Sequence, residues 1–110
     1  MTENIKRGSV WRIDFDPVKG REQSGFRYGV IVSPDSMNSA LDIVIVAPLT
    51  TKIKEWPTRV DCNFNNTSGQ VQCEQIRVVS KKRLRVHSGS LSIEVIAKLR
   101  LVFKQMLVED

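Results

Sequence analysis

A single histidine, His87, leaves no second imidazole to share acid and base work, so a two-histidine mechanism and a Ser-His-Asp triad have little basis here. His87 itself stands in a Ser/Gly break and reads as a solvated loop residue. The two cysteines, Cys62 and Cys73, match no metal-ligand spacing and are too few for a secreted disulfide scaffold. They read as small buried thiols of a reducing compartment. No glycine motif precedes a helix to cradle a nucleotide phosphate, which argues against nucleotide-dependent chemistry. No apolar run approaches the length of a membrane span, and the polar opening MTENIKRGS lacks a signal-peptide core. Repeats, low-complexity tracts and linkers are also missing. A chain of 110 residues without them is long enough for one core and too short for two. The expectation is one cytoplasmic domain over residues 1–110, with no membrane segment, cofactor or metal.

What the chain has in surplus is positive charge. Its 17 Lys and Arg residues outnumber 12 Asp and Glu, giving a formal net charge of +5. A polyanionic partner follows, unless the excess is only a basic, solubilising surface. The most unusual stretch is residues 20–27, GREQSGFR, between two strand-like runs. Its glycines, arginines, carboxylate and amide are composition that no core needs. They suit a surface loop that binds and reacts with something anionic.

Around that loop the pattern is mostly β. Residues 9–15, SVWRIDF, alternate so that Trp11, Ile13 and Phe15 share one side, and Asp16-Pro17 ends the strand. Residues 28–33 and 42–48 are short β-branched runs that read as strands buried on both faces, joined by a polar connection over 35–40. Residues 49–57, LTTKIKEWP, read as a second long loop with an exposed Trp56. A strand over 58–64 leads to a turn over 65–69. Residues 70–79 then read as the longest strand, with an alternation slip at Glu74-Gln75. Either a bulge or sharp coil, or burial of both faces, accounts for the slip. Residues 80–85 suggest a helical turn and 87–89 a break. From an N-cap at Ser92, Val95/Ile96, Leu99, Val102/Phe103 and Met106/Leu107 recur at helical spacing, with Arg100, Lys104 and Gln105 opposite. About five strands, two long loops and a terminal helix predict a small curled, barrel-like antiparallel β fold.

The residue types left for chemistry lie in the two loops. Arg27, at a strand end, can clamp a phosphate bidentately but is too basic to serve as a general acid. A salt bridge to a loop carboxylate such as Glu22 is its ordinary alternative. Thr50 and Thr51 open the second loop. Phe26, Tyr28 and Trp56 offer faces on which unpaired bases can stack, interleaved with Arg21, Lys52, Lys54 and Arg59. Ordinary packing is the alternative, more for Phe26 and Tyr28 than for Trp56.

Three ordered blocks carry a family resemblance. DFDPVKGREQSGFRYGVIVSP resembles the N-terminal signature of the MazF/PemK toxin endoribonucleases, APLTTKIKEWPTRV their second block, and VQCEQIRVVSKKRL their third. The match runs from about Arg7 to Leu84, and the terminal helix stands where the family has one. The resemblance implies a homodimeric SH3-like barrel with a C-terminal helix, of the MazF/PemK/CcdB type. It also implies a toxin that cleaves single-stranded RNA without a metal and is restrained by a cognate antitoxin with an acidic tail.

By position, Arg27 matches the family's catalytic arginine, Thr50 its threonine, and Glu22 a glutamate that assists in some members. The matched blocks further imply RNA contacts from Arg21, Gln23, Phe26, Tyr28, Thr51, Lys52, Lys54, Trp56, Glu74, Gln75 and Arg77. The chain also departs from the pattern. Tyr28 replaces a proline. Arg21 and Gln72-Cys73-Glu74 stand where PemK-like members carry His and Arg-x-Asp, so the MazF-like branch fits better. Ser9 replaces a common acidic residue. A gyrase poison of the CcdB kind relies on a Trp-Gly-Ile chain end, whereas this sequence finishes Leu107-Val108-Glu109-Asp110. A plain RNA-binding module is the third reading.

Overall fold

The computed structural model describes residues 5–15 and 26–109. Their order is β1 (Ser9–Asp14), β2 (Phe26–Ile31), α1 (Asp35–Ala40), β3 (Ile43–Thr50), β4 (Arg59–Phe64), β5 (Thr67–Gln72), β6 (Arg77–Ser80), β7 (Leu84–Ser90) and α2 (Ile93–Leu107). The strands run β4-β5-β3-β2-β1-β7 in one antiparallel sheet, with β6 also paired to β3.

β3 is the hub. One of its edges pairs with β2, from Gly29↔Pro48 to Ile31↔Val46. Its other edge is divided: β6 takes Ile43 to Val46, and β5 takes Leu49 and Thr50. That division explains the alternation slip near Glu74. Residues 70–79, expected as one long strand, are the end of β5, a 3-10 turn over Cys73–Gln75, and most of β6. A single straight strand would pair with only one stretch of β3, so the chain turns a corner instead.

The sheet is buried on both faces because it curls. Trp11, Ile13 and Phe15 pack with Ile31, Val44 and Val46 on one side. Val10, Val30, Ala47 and Val71 face the other, where α2 lays down Leu99 and the partly buried Val95, Ile96, Val102, Phe103 and Met106. Ser92 caps α2 as expected, its Oγ accepting from the Val95 N–H at 3.2 Å. Leu107, assigned to the packed face, is instead 65% exposed.

Three further expectations change. The polar connection over 35–40 is the short helix α1, docked because buried Asn38 bonds Ser33 through both ends of its amide. The helical turn over 80–85 shrinks to a 3-10 turn at Lys81–Arg83, and the supposed break at 87–89 lies inside β7. β7 gains its strand character from long-range pairing with β1, which local Ser and Gly propensity does not report. His87 is exposed as expected, but on a strand, with its ring edge-on to Trp11 at 5.2 Å. Ser9 also finds a role: its buried hydroxyl donates to the Lys6 carbonyl at 2.6 Å and accepts from Trp11 Nε1 at 3.1 Å.

Candidate functional site

The two blocks that the sequence sets 23 residues apart, at Arg27 and Thr50, meet at the end of the β2–β3 ladder. The β2–β3 pairing stops at Gly29↔Pro48, and Arg27 and Thr50 lie two residues beyond it on their respective strands. Both line one groove of about 490 Å³, with Tyr28, Leu49, Cys62 and Phe64 and the β4–β5 hairpin. Arg27 is exposed, and its guanidinium stands 5.7 Å from the centroid of the buried Phe15 ring. Arg77 approaches the same ring at 5.7 Å. Two arginines against one phenyl ring make a cationic patch supported by core packing. Among the described residues no carboxylate pairs with either.

Thr50 is prepared in a different way. Its Oγ1 accepts the Lys52 N–H at 3.1 Å, a local turn that orients the hydroxyl. A hydroxyl has one proton to give, so this arrangement leaves the Thr50 O–H free to donate to an anionic oxygen. Gly69 holds the backbone beneath it. A Cβ there would stand 2.5 Å from the Thr50 carbonyl oxygen, a collision with backbone rather than with a flexible side chain. Gly29 allows a similar approach, because a Cβ would meet Ile13 Cδ1 at 2.7 Å and Phe15 Cζ at 3.0 Å.

The second loop, residues 51–57, is exposed at every residue yet firmly tied. Buried Gln70 accepts the Lys54 N–H at 3.0 Å and returns a bond to the Lys54 carbonyl at 3.0 Å. The same amide reaches Asp61 at 2.9 Å and accepts from Arg59 Nη1 at 3.2 Å, so its hydrogen-bonding capacity is used in full. Arg59 also donates to the Lys52 carbonyl at 3.3 Å and lies 4.7 Å from the Trp56 ring centroid, with Lys54 Nζ at 5.3 Å. Trp56 is 47% exposed. It therefore presents a fixed aromatic face in a basic surround.

Glu74 is committed elsewhere. Its carboxylate takes Arg59 Nε at 2.9 Å and Thr58 Oγ1 at 2.8 Å. Partial burial pulls its pKa up, but hydrogen bonds from Thr58, its own backbone and Arg59 outweigh that and leave the net shift downward. Glu74 thus braces the second loop through Arg59. Gln75 is exposed beside it on the 3-10 turn, and Thr51 is exposed at the rim of the groove. Arg21, Glu22 and Gln23, and the side chain of Phe26, lie outside the described residues.

Cys73 is buried, and burial, then neighbouring Glu74, pushes its thiol up to about 12, with Arg59 opposing. Cys62 is half-buried, against the expectation of a buried thiol. Its pKa is also raised, by burial and then by Asp61. Neither offers a ready thiolate. Sequence reasoning missed Gln70 and the hairpin residues Asn65, Thr67 and Ser68. The Asn-Asn turn was visible, but nothing local says that its hairpin lines one groove with Tyr28.

Relatives carry the same organisation. A family model described as PemK-like, MazF-like toxin of type II toxin–antitoxin system matches residues 6–107. Endoribonuclease MazF9 of Mycobacterium tuberculosis is 33% identical over 105 residues, covering 86% of this chain and 89% of that protein. Among solved structures, a mycobacterial endoribonuclease in complex with its cognate antitoxin superposes with a TM-score of 0.79 at 24% identity, covering 93% of each chain. MazF from Deinococcus radiodurans gives 0.77 at 24% identity, covering 93% of this chain and 94% of that one. At those identities the structural likeness establishes the fold, a curled antiparallel sheet with a C-terminal helix. The family match along the chain goes further, and this protein belongs to the PemK-like, MazF-like toxins of type II toxin–antitoxin systems.

Proposed function

We propose that this toxin is an endoribonuclease that cuts single-stranded RNA at short sequences in the groove lined by Arg27 and Thr50. The observation that supports it is that both side chains line one groove just past the end of the β2–β3 ladder. The ribose 2′-hydroxyl attacks the adjoining phosphorus, forming the 2′-O–P bond while the P–O5′ bond breaks. The products are a 2′,3′-cyclic phosphate and a free 5′-hydroxyl. Arg27 donates two N–H groups to the phosphoryl oxygens as charge builds on them, and Thr50 donates its O–H to a non-bridging oxygen. Glu22 takes the proton from the 2′-hydroxyl, and the leaving 5′ oxygen gains one from solvent. Transition-state charge stabilisation carries the rate, so the reaction proceeds without a cofactor.

Trp56, Lys52, Lys54 and Arg77 supply stacking and phosphate contacts along the RNA. A cognate antitoxin restrains the toxin in the cytoplasm by laying an acidic tail along the basic groove and displacing RNA, in keeping with the net charge of +5. The active form is a homodimer.

The test is incubation of purified protein with a long, weakly structured RNA in EDTA. Discrete fragments with 5′-hydroxyl ends are expected, and intact RNA would overturn the proposal. Arg27→Ala should lower the cutting rate at least about a hundredfold with the fold unchanged by circular dichroism. Cutting close to wild type in that variant would remove Arg27 from the chemistry.

A further inference from the structure

The proposed chemistry uses only part of the groove. The rest of its lining includes Tyr28 and Phe64 together with Asn65, Thr67 and Ser68 of the β4–β5 hairpin. Phe64 meets Tyr28 edge-on at 5.3 Å and 66°, which holds the tyrosine ring while leaving it 38% exposed. The hairpin turns through Asn65 at φ 53° and Asn66 at φ 61°. That left-handed pair is the backbone of a tight hairpin turn, and asparagine tolerates it better than most side chains do.

The polar groups so placed are unspent. Asn65, Thr67 and Ser68 are all exposed, and the one side-chain bond among them runs from Thr67 Oγ1 to the Asn65 carbonyl at 3.4 Å. The Asn65 amide and the Ser68 hydroxyl have no partner among the described residues. This wall of the groove is neutral, so it is poorly suited to phosphate. It combines an aromatic face with an amide that offers a donor and an acceptor side by side. That is the chemistry that reads a base edge, much as asparagine pairs bidentately with a base. A volume of about 490 Å³ is ample for one nucleoside.

We propose that the nucleoside adjoining the scissile phosphate lodges here, its base against Tyr28 and its polar edge read by Asn65, with Ser68 and Thr67 flanking. The β4–β5 hairpin then sets the preferred base at one position of the cut site. This rests on the endoribonuclease reading and deepens it.

The experiment maps 5′-hydroxyl ends on a long RNA cut by wild type, Asn65→Gly and Asn65→Asp. Glycine keeps the left-handed turn and removes the amide. Aspartate keeps the turn as well, but its carboxylate accepts without donating. With Asn65→Gly, the bias at one position beside the cut should fall about tenfold, while biases at other positions persist. With Asn65→Asp, the same position should change its preferred base. Unaltered bias at every position in both variants overturns the assignment, and so does complete loss of cutting in an Asn65→Gly protein that melts like wild type. If Asn65→Gly melts early, the Asn65→Asp map decides alone, a changed base supporting the assignment and an unchanged one overturning it. Wild type that cuts no RNA overturns the endoribonuclease reading, and this inference with it. Wild-type cutting with unmoved variants overturns only the hairpin's role.

Discussion

Thr50 is half-buried at the end of β3 and accepts the Lys52 N–H, whereas Thr51 is exposed, its hydroxyl without a partner among the described residues. Neighbours in sequence thus differ in readiness, because both line the groove with Arg27 but only Thr50 has its proton directed by an existing bond. Thr50→Ala should reduce RNA cutting about tenfold or more, and Thr51→Ala by much less, measured as single-turnover rates on one substrate. The reverse order would place the second block one residue out of register. Pattern alone left Arg27 open between clamp and ion pair. The structure adds its support on Phe15 and its shared groove, and both come from residues distant in the chain. Gln72 shows the opposite situation. Its Oε1 is buried with no hydrogen-bond partner among the described residues, an oddity at a position where the family pattern diverges.

At the scale of elements, the loop between β3 and β4 reads from sequence as loose, basic and aromatic, and in the fold it is held by the buried amide of Gln70 and by Arg59. Gln70 was legible only as part of a strand. Its reach to Lys54 depends on β5 pairing with both β3 and β4, which brings the loop over it. Arg59 in turn depends on Glu74, whose folded pKa lies below its ordinary 4.5. The sign follows from that depression. The pair contributes stability that is fully present above the ordinary value and is lost as pH falls through the lower folded value. The urea midpoint of wild type should therefore exceed that of Glu74→Gln near neutrality, with the difference shrinking on acidification below about pH 4.5. A difference that stays constant across that range would mean that the Glu74 charge does not contribute.

For the whole molecule, α2 carries two apolar rows. One packs on the sheet through Leu99. The other, Ile93 and Leu101 with Val108 just past the helix end, is left uncovered at 82%, 65% and 75% exposure. Leu107 and Val108 also border a second groove of about 370 Å³ between α2 and the end of β2 that leads to α1. A second copy covering this row gives the proposed homodimer a physical reason. The protein should elute at twice its chain mass, and Leu101→Glu should shift it toward monomer while α2 stays helical by circular dichroism. A wild-type monomer at micromolar concentration would refute the dimer.

The alternation of Trp11, Ile13 and Phe15, the β-branched runs, the Ser92 cap and the helical spacing through Met106 are local patterns, and they alone determined a mainly β chain closed by a helix. The three motif blocks likewise marked Arg27 and Thr50 and pointed to the family. Tertiary structure decided what depends on contacts between distant residues. It split residues 70–79 around a corner, because β3 offers one edge to two partners. It made a strand of the Ser/Gly stretch around His87, because β1 needed a second neighbour. It also brought Asn65 and Tyr28, and Thr50 and Arg27, to the lining of one groove. Periodicity along a chain reports which face is buried, and only the pairing of strands reports which residues meet.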